Sequence, residues 1–531
     1  MTMQVTLLII ICLITSFIFS CSPETTATGS INWWCTQTPY HQTCHHHVTK
    51  ITNISTTTKT INQFLNIIVK ATMHEAHAVL EQVHEIEVNY PNVSGKSLWG
   101  SCADYFDGIM FTLNMVLDHL TYQPSPFDVR TWLSACLTYI NVCEKGFEMI
   151  NMTNTMLPVI STDLTQLLLN SLAISIAITA HSSPRLHEWN FSEENKSNLQ
   201  VKTPDVVVAR DGSGNFTTVQ EAVNWAGHRR RQREDNYKRY VIYVKSGVYE
   251  EHVVIPHEAT HITMYGDGID KTIITGDRHS GGDMLGTSKA GDLKDSATFQ
   301  VWGRRFMALD LTVRNTAGPQ GGQAVAFLSG SDKSVIYRCS IVGYQDTLFA
   351  FHSKQFYKDC QIFGTVDFIF GAAEVVFQDC DIFLRKPLPG GGLVVTANGR
   401  KYINESGGYS LQGCKITAAD DLKPVIDKYK KAFLGRPWFP YARTVYMQCL
   451  FDDILNPRGW LDSWGFNETA YCGEYKNSGP GSSTDQRVKW PGYHDITDPN
   501  IARQFTVAKF IKGNRWLPSS GVPFVPGFER L

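Results

Sequence analysis

The chain has 531 residues, of which 43% are hydrophobic and 18% are charged, with a formal net charge of −2. This length allows more than one domain and a large buried core. The composition is that of a soluble globular protein, and beyond the N-terminus no stretch approaches 18 consecutive apolar residues, which argues against further membrane spans.

The N-terminal stretch "MTMQVTLLIIICLITSFIFSCSPE" is an apolar run followed by small residues. It predicts a secretory signal peptide over residues 1–22, and a retained signal anchor is the alternative because no Lys or Arg precedes the apolar run. Thirteen cysteines and eight N-x-S/T sequons agree with secretion to the extracellular space. The sequons lie at Asn53, Asn92, Asn151, Asn190, Asn195, Asn215, Asn404 and Asn467.

Residues 23–183 carry apolar side chains at three- and four-residue steps, as in "INQFLNIIVKATMHEAHAVLEQVHEIE". This periodicity predicts an antiparallel four-helix bundle. Two disulfide bonds are expected, one closing a short loop and one joining two helices: Cys35–Cys44 and Cys102–Cys143. Cys136 is left over and is expected to pack on an apolar face.

Residues 184–204 are polar and without pattern, which is typical of a linker. From residue 205 to residue 531, short β-branched and aromatic runs recur between Gly, Asp and Asn. Their spacing predicts an all-β parallel solenoid in which inward residues stack in ladders. A sandwich of hairpins is the alternative, although few Asn-Gly or Asp-Gly pairs separate the runs.

Two segments in this region repeat at an offset of 21 residues, "CSIVGYQDTLF" and "CQIFGTVDFIF". The aligned pairs are Cys339 and Cys360, Ile341 and Ile362, and Asp346 and Asp367. If the repeat is one coil, the two aspartates lie roughly 4.8 Å apart along the backbone stack. One carboxyl pKa should then rise while a cationic partner holds the other down, which supplies an acid and a nucleophile in one place. A ladder of aspartates that only caps solenoid turns is the alternative.

Several ordered motifs make residues 206–531 resemble the plant-type pectinesterases (pectin methylesterases). They are "VVVARDGSGNFTTVQEAV", "AGPQGGQAVAF", "GYQDTL", "GTVDFIFG", "TANGR", "LGRPW" and "WPGYH". The resemblance implies a right-handed parallel β-helix that removes methyl esters from cell-wall pectin. The helical region, with the four cysteines of its two expected disulfide bonds and "TWLSACLT", resembles the inhibitor-like pro-region of such enzymes, which implies an intramolecular contact with the catalytic part.

The same resemblance assigns the chemical roles at the centre of the site. Asp367 would attack the ester carbonyl, and Asp346 would protonate the departing methanol and then accept a proton from water. Gln323 and Gln345 would donate amide hydrogens to the oxyanion.

Four further residues take their expected roles from the resemblance. Arg436 would pair with Asp367 and keep it ionised, and Trp438 would give a flat face for a sugar ring. Cys360 and Cys380 would form a disulfide bond beside the site.

No metal or organic cofactor is expected, because carboxylates, amides and an arginine suffice for ester hydrolysis. The triple histidine at residues 45–47 is expected to be solvated rather than metal-bound. The basic segment "GHRRRQRED" has no aromatic support for nucleic-acid binding. One departure from the family pattern places Leu293 where a threonine near the substrate is usual.

Two other functions remain open at this stage. A glycosidase or lyase could share the solenoid, although an inverting glycosidase needs carboxyls about 6.5–9.5 Å apart. A wall protein that only binds pectin or inhibits other esterases is the second. Pectin is the expected partner in each case.

Overall fold

The computed structural model describes residues 29–52, 57–58, 60–89, 93–122, 126–149, 162–181, 203–231, 238–280, 293–429, 432–462 and 464–528. The predicted signal peptide lies outside these residues, as does the predicted linker up to residue 202. The chain forms two compact units. One is built largely from helices, and the other from short strands.

Four helices of 20 to 30 residues dominate the N-terminal region, as the apolar periodicity predicts. The helices of this region are α1 (Ile31–Thr36), α2 (His41–Ile51), α3 (Ile61–Asn89), α4 (Val93–Tyr122), α5 (Pro126–Met149) and α6 (Thr162–His181). Both expected disulfide bonds are present, Cys35–Cys44 and Cys102–Cys143. Cys136 is a buried free thiol, as expected.

Helix α6 contains a 19-residue segment, Thr162–Ala180, that is long and apolar enough to cross a membrane. Half of its most apolar window is buried inside the protein. Its polar groups also find partners on other helices: Asp163 accepts from His47 at 2.8 Å, and Ser171 lies 3.4 Å from the Thr72 hydroxyl. We therefore read α6 as a core helix of the helical unit.

The C-terminal region folds into three sheets whose strands follow one another in turn along the chain. Sheet I has eleven strands within the described residues: β3 (Val206–Val208), β4 (Tyr240–Val244), β7 (Ile262–Tyr265), β10 (Met307–Leu309), β13 (Ser334–Tyr337), β16 (Lys354–Lys358), β19 (Glu374–Gln378), β22 (Gly408–Gln412), β25 (Arg443–Met447), β27 (Tyr471–Tyr475) and β28 (Tyr493–Asp495). Sheet II has eight: β5 (Gly247–Glu250), β8 (Thr272–Gly276), β11 (Thr312–Asn315), β14 (Ser340–Val342), β17 (Gln361–Gly364), β20 (Asp381–Leu384), β23 (Lys415–Ala418) and β26 (Leu450–Phe451).

Sheet III, which carries the candidate site, has seven strands within the described residues: β6 (Val253–Ile255), β9 (Phe299–Val301), β12 (Phe327–Ser329), β15 (Leu348–Ala350), β18 (Ile369–Gly371), β21 (Leu393–Asn398) and β24 (Ala432–Pro437). The remaining described elements are a two-stranded ribbon of β1 (Gly29–Ser30) and β2 (Thr57–Thr58), helices α7 (Val219–Arg231) and α8 (Pro499–Arg503), and 3-10 turns at Leu293–Ser296, Pro319–Gly321, Lys423–Lys428, Gly513–Arg515 and Leu517–Ser520.

Neighbouring strands of the three sheets pair in parallel, which identifies a parallel β-helix. The alternative fold, a sandwich of antiparallel hairpins, is therefore wrong. Parallel crossovers of this kind are right-handed. The predicted isoleucine ladder is confirmed in sheet II: Ile341 pairs with Ile362, Ile362 with Ile382, and Ile382 with Ile416. All four side chains are buried in the apolar interior. The 21-residue repeat is therefore one coil of the helix.

Both the start and one outer face of the β-helix are covered. Helix α7 packs Val219, Ala222 and Val223 onto the first strands. The chain after β28 covers the outer face of sheet I, where Phe524 and Phe505 belong to one apolar cluster with residues of β10 to β27.

Candidate active site

Asp346 and Asp367 occupy the same position on adjacent coils. The strands on either side of them pair at an offset of 21 residues, with Ile341 opposite Ile362 and Leu348 opposite Ile369. Each aspartate lies in the turn that leads into its strand of sheet III, and each has a left-handed backbone, with φ of 61° and 50°. Aspartate and asparagine adopt this conformation more readily than bulkier residues. The predicted juxtaposition of the two carboxyls is confirmed.

Both carboxyls are buried, with 4% of Asp346 and 8% of Asp367 exposed. Burial raises the pKa of Asp346 well above its usual range, and the nearby Asp367 carboxylate raises it further. Burial also raises the pKa of Asp367, but the Arg436 guanidinium opposes that rise through hydrogen bonds and charge. Arg436 thus lowers the pKa of Asp367, as predicted, but the larger effect of burial leaves the net shift upward. Asp346 remains the stronger candidate for the protonated member.

Arg436 meets Asp367 through a two-pronged contact. Its Nε donates to Oδ1 at 2.8 Å, and its Nη2 donates to Oδ2 of the same carboxylate. Arg436 lies on β24, two coils beyond Asp367, and is opposite Ala397, which in turn is opposite Phe370. This fork of donors requires an arginine, since a lysine ammonium cannot reproduce it.

The two glutamines stack on adjacent coils beside the aspartates. Gln323 and Gln345 form an isolated parallel bridge, and Ala324 N–H donates to the Gln345 carbonyl at 3.2 Å. The Gln323 Nε2 donates to Asp346 Oδ2 at 2.8 Å. This bond lowers the pKa of Asp346 but does not overcome burial. The predicted donor Gln323 thus contacts the carboxyl pair through its amide, and Gln345 immediately precedes Asp346 in the chain.

Trp438 stands two residues beyond Arg436, at the end of the same strand segment. Its indole packs on Gly399, where an added Cβ would lie 2.8 Å from the ring, and it meets the Phe370 ring edge-on at 5.9 Å. The backbone N–H of Trp438 donates to the Asn398 carbonyl at 3.1 Å. The motif "TANGR" thus needs its glycine because the tryptophan of "LGRPW" lies against it.

This arrangement combines a buried carboxyl whose pKa is raised well above its usual range, a second carboxyl held by an arginine, and a glutamine amide that donates to the first. A carboxylate beside a proton donor can carry out nucleophilic attack on a carbonyl and protonation of the leaving group. Amide hydrogens nearby suit a developing oxyanion.

Comparison with known proteins decides the family. The Pectinesterase family model matches residues 205–514, and the Plant invertase/pectin methylesterase inhibitor model matches residues 29–174. The chain belongs to the pectinesterase family. This pectinesterase is an esterase that carries an inhibitor-like helical region ahead of its β-helix.

Curated relatives and solved structures agree with this assignment. The pectinesterase is 41% identical over 520 residues to "Pectinesterase 2" of Citrus sinensis, covering 96% of each chain. It is 44% identical over 413 residues to "Pectinesterase/pectinesterase inhibitor PPE8B" of Prunus persica, covering 76% of each. The solved pectin methylesterase from carrot matches with a TM-score of 0.58 at 43% identity, over 62% of this chain and 100% of that one. The Aspergillus niger enzyme gives 0.50 at 30% identity, over 61% and 98%.

The disulfide expected between Cys360 and Cys380 is not formed in this pectinesterase, and both residues are buried free thiols. They lie at equivalent positions of adjacent coils, next to the paired residues Gln361 and Asp381. Each thiol instead donates to a backbone carbonyl, Cys360 to Ile336 at 3.3 Å and Cys380 to Gln378 at 3.5 Å.

One residue at the site escaped the sequence analysis. Trp464, in the loop between β26 and β27, places its ring 4.5 Å from the Arg436 guanidinium carbon. It lies outside the repeats and the quoted motifs. The one available signal was a second tryptophan four residues after Trp460 in "GWLDSW".

Proposed function

We propose that this pectinesterase hydrolyses methyl esters of galacturonate units in pectin, with Asp367 as nucleophile and Asp346 as acid and base. The observation that carries the proposal is the fork of hydrogen bonds from Arg436 to Asp367 on the coil next to a carboxyl whose pKa is raised well above its usual range. The names of the pectin methylesterases that this chain resembles support the choice of substrate.

In the first half-reaction, an Asp367 carboxylate oxygen bonds to the ester carbonyl carbon, and the carbonyl oxygen becomes an oxyanion that Gln323 and Gln345 stabilise. The carbon–methoxy bond then breaks, and the proton on Asp346 passes to the departing oxygen, which leaves as methanol. An acyl-enzyme anhydride with Asp367 remains.

In the second half-reaction, water attacks the same carbonyl carbon while Asp346, now ionised, takes a proton from it. The bond to Asp367 breaks, which restores its carboxylate and the protonated Asp346. The galacturonic acid formed then releases its own proton to solvent, so that one ester and one water give one methanol, one carboxylate and one proton. Trp438 would supply an apolar face for a sugar ring, and no cofactor enters these steps.

Replacement of Asp367 by asparagine tests this assignment. Asparagine suits the left-handed backbone and still accepts from Arg436, so that D367N should fold and bind pectin but release no methanol. Asp359→Asn is the matched control, because Asp359 has the same backbone conformation, with φ of 53°, and pairs with Lys358 away from the carboxyl pair. Methanol and new reducing ends are measured together. Wild-type methanol release from D367N would show that Asp367 is not the nucleophile. Reducing ends without methanol from the unaltered enzyme would show that the protein does not act as an esterase on pectin.

We also propose that the protein is secreted to the cell wall and that its helical region, residues 23–183, acts as an inhibitor or folding aid for residues 205–531. The inhibitor family model over residues 29–174 supports the inhibitory role. The two disulfide bonds of the helical region support secretion. Disulfide bonds are typical of proteins that fold outside the cytosol.

A further inference from the structure

Trp464 covers one face of the arginine that holds the nucleophile. Its ring centre lies 4.5 Å from the Arg436 Cζ, while the edge of the same guanidinium contacts Asp367. Within the described residues Trp464 is one of few large apolar side chains left exposed, at 43%. A half-exposed indole over a guanidinium is a cation–π contact, which favours arginine over other cations.

The loop that carries Trp464 is fastened to the strand that carries Arg436. Trp460 forms a parallel bridge with Gly435, the residue before Arg436, and Leu461 N–H donates to the Gly435 carbonyl at 3.0 Å. The position of the loop therefore follows the position of β24.

Asp462 hydrogen-bonds to two residues that follow Trp464 in the chain. Asp462 Oδ1 accepts from Gly465 N–H at 3.0 Å, and its Oδ2 accepts from Asn467 Nδ2 at 3.3 Å. Gly465 has a φ of 74°, which a side chain would disfavour, although nothing lies within 4 Å of the place a Cβ would take. Backbone conformation, rather than space, requires glycine after Trp464.

We propose that Trp464 is a positioning residue for catalysis, which acts by holding Arg436 in its two-pronged contact with Asp367. This inference rests on the proposed function. The Arg436 side chain is 21% exposed, so water competes for its donors and its long side chain has other conformations to adopt. A guanidinium held by a carboxylate at its edge and an indole on its face is less accessible to water and has fewer conformations available.

The contact between Trp464 and Arg436 also affects the pKa of the proposed nucleophile, Asp367. Arg436 is the charged group that opposes the rise in the pKa of Asp367, while Asp367 itself raises the pKa of the neighbouring Asp346. When Trp464 is removed, Arg436 spends less time on Asp367, so the pKa of Asp367 rises further. The acidic limb of kcat/KM, where the nucleophile becomes protonated, then moves to higher pH.

The test uses the full-length protein and methanol release from methyl-esterified pectin. Trp464→Ala should lower kcat/KM about 5- to 30-fold, chiefly through kcat, because cation–π contacts of partly desolvated groups have this strength. Its acidic limb should lie at higher pH than that of the unaltered enzyme. Trp464→Phe and Trp464→Tyr should recover most of the loss, and Trp464→Leu, apolar but without a π face, should not.

Two controls separate this role from a general loss of structure. Leu450→Ala removes a side chain of equal exposure, 43%, on β26 of the same β-helix and should leave the kinetics unchanged. In an Arg436→Lys background, Trp464→Ala should change kcat/KM less than about twofold, because the flat guanidinium is already gone. Equal losses in both backgrounds, an unmoved acidic limb, or recovery by leucine would each overturn the inference. Absence of methanol from the unaltered enzyme would instead overturn the proposed function.

Discussion

At the scale of single residues, two kinds of buried carboxyl occur in the β-helix. Asp346 and Asp367 share one site, in which Arg436 donates hydrogen bonds to Asp367 while its charge lowers the pKa of both carboxyls. Glu405 is buried in the loop after β21, with 2% of its surface exposed. Its Oε2 accepts from the N–H groups of Lys401 and Tyr402, both at 2.8 Å. We propose a catalytic role for the first kind, and the second makes the stability of its loop depend on pH.

Glu405 predicts a loss of stability as pH rises from about 4.5 to about 7. Burial raises its pKa to about 7 from an ordinary value of 4.5. Because the folded-state pKa is the higher one, the folded protein is favoured when Glu405 is protonated, and this advantage is lost as pH rises through the folded-state value. The full difference amounts to roughly 3 kcal/mol.

Glu405→Gln measures this contribution directly. Glutamine can accept the same two backbone hydrogens without a charge, so the variant should gain on the unaltered protein in urea midpoint as pH rises from 4.5 to 7. Parallel midpoints for the two proteins across this range would show that Glu405 does not titrate as described.

At the scale of elements, the features that repeat once per coil could be predicted from the sequence. Contacts between side chains on distant coils could not. Ile341, Ile362 and the aspartate pair repeat at 21 residues, so that one spacing yields both the ladder and the juxtaposition. The contact between Arg436 and Asp367 joins positions 69 residues apart and was expected only through resemblance to a family. The net rise in the pKa of Asp367 could not be predicted from the repeat, because the cost of burial cannot be read from residue spacing.

The buried ion pair at β27 is another feature that no periodicity reveals. Glu474 and Arg487 are each 2% exposed, and Arg487 Nε donates to Glu474 Oε1 at 2.8 Å. Trp460 Nε1 donates to the same oxygen at 3.1 Å, and Arg487 also donates to the carbonyls of Pro457 and Gly481. One ion pair thus ties β27 to the loops on both sides.

Removal of either partner should destabilise the β-helix strongly. Glu474→Gln or Arg487→Met leaves a buried charge without its counter-ion, which costs about 3–5 kcal/mol. Urea unfolding of the β-helix is the measurement. The exposed pair Lys423–Asp420 provides the control, and Asp420→Asn should cost under about 1 kcal/mol. A similar small loss for both pairs would contradict the assigned importance of the buried one.

At the scale of the whole molecule, the helical region and the β-helix differ in how each is held together. The disulfide bonds of the described residues, Cys35–Cys44 and Cys102–Cys143, both lie among the N-terminal helices. The β-helix has buried free thiols and relies on stacked apolar side chains. A reducing agent should therefore act on the helical region and spare the β-helix.

This difference gives a test of the proposed inhibitory role. Proteolysis within residues 184–204 should raise methanol release, and returning the separated helical region should lower it again. The same region with its two disulfide bonds reduced and alkylated should inhibit less, because an open loop and unclipped helices lose their folded surface. Equal activity before and after cleavage, measured alongside N-terminal sequencing of the products, would show that the helical region does not restrain the enzyme.

The left-handed backbone of Asp346 and Asp367 also limits how this site can evolve. Other side chains also adopt this region in the β-helix, as Ser353 does at φ of 68°, but the residues that adopt it most readily are glycine, asparagine and aspartate. Of these three, only aspartate supplies a nucleophilic oxygen. Exchange of the aspartyl nucleophile for serine, threonine or cysteine would therefore add a backbone cost at this turn, greatest for the β-branched threonine.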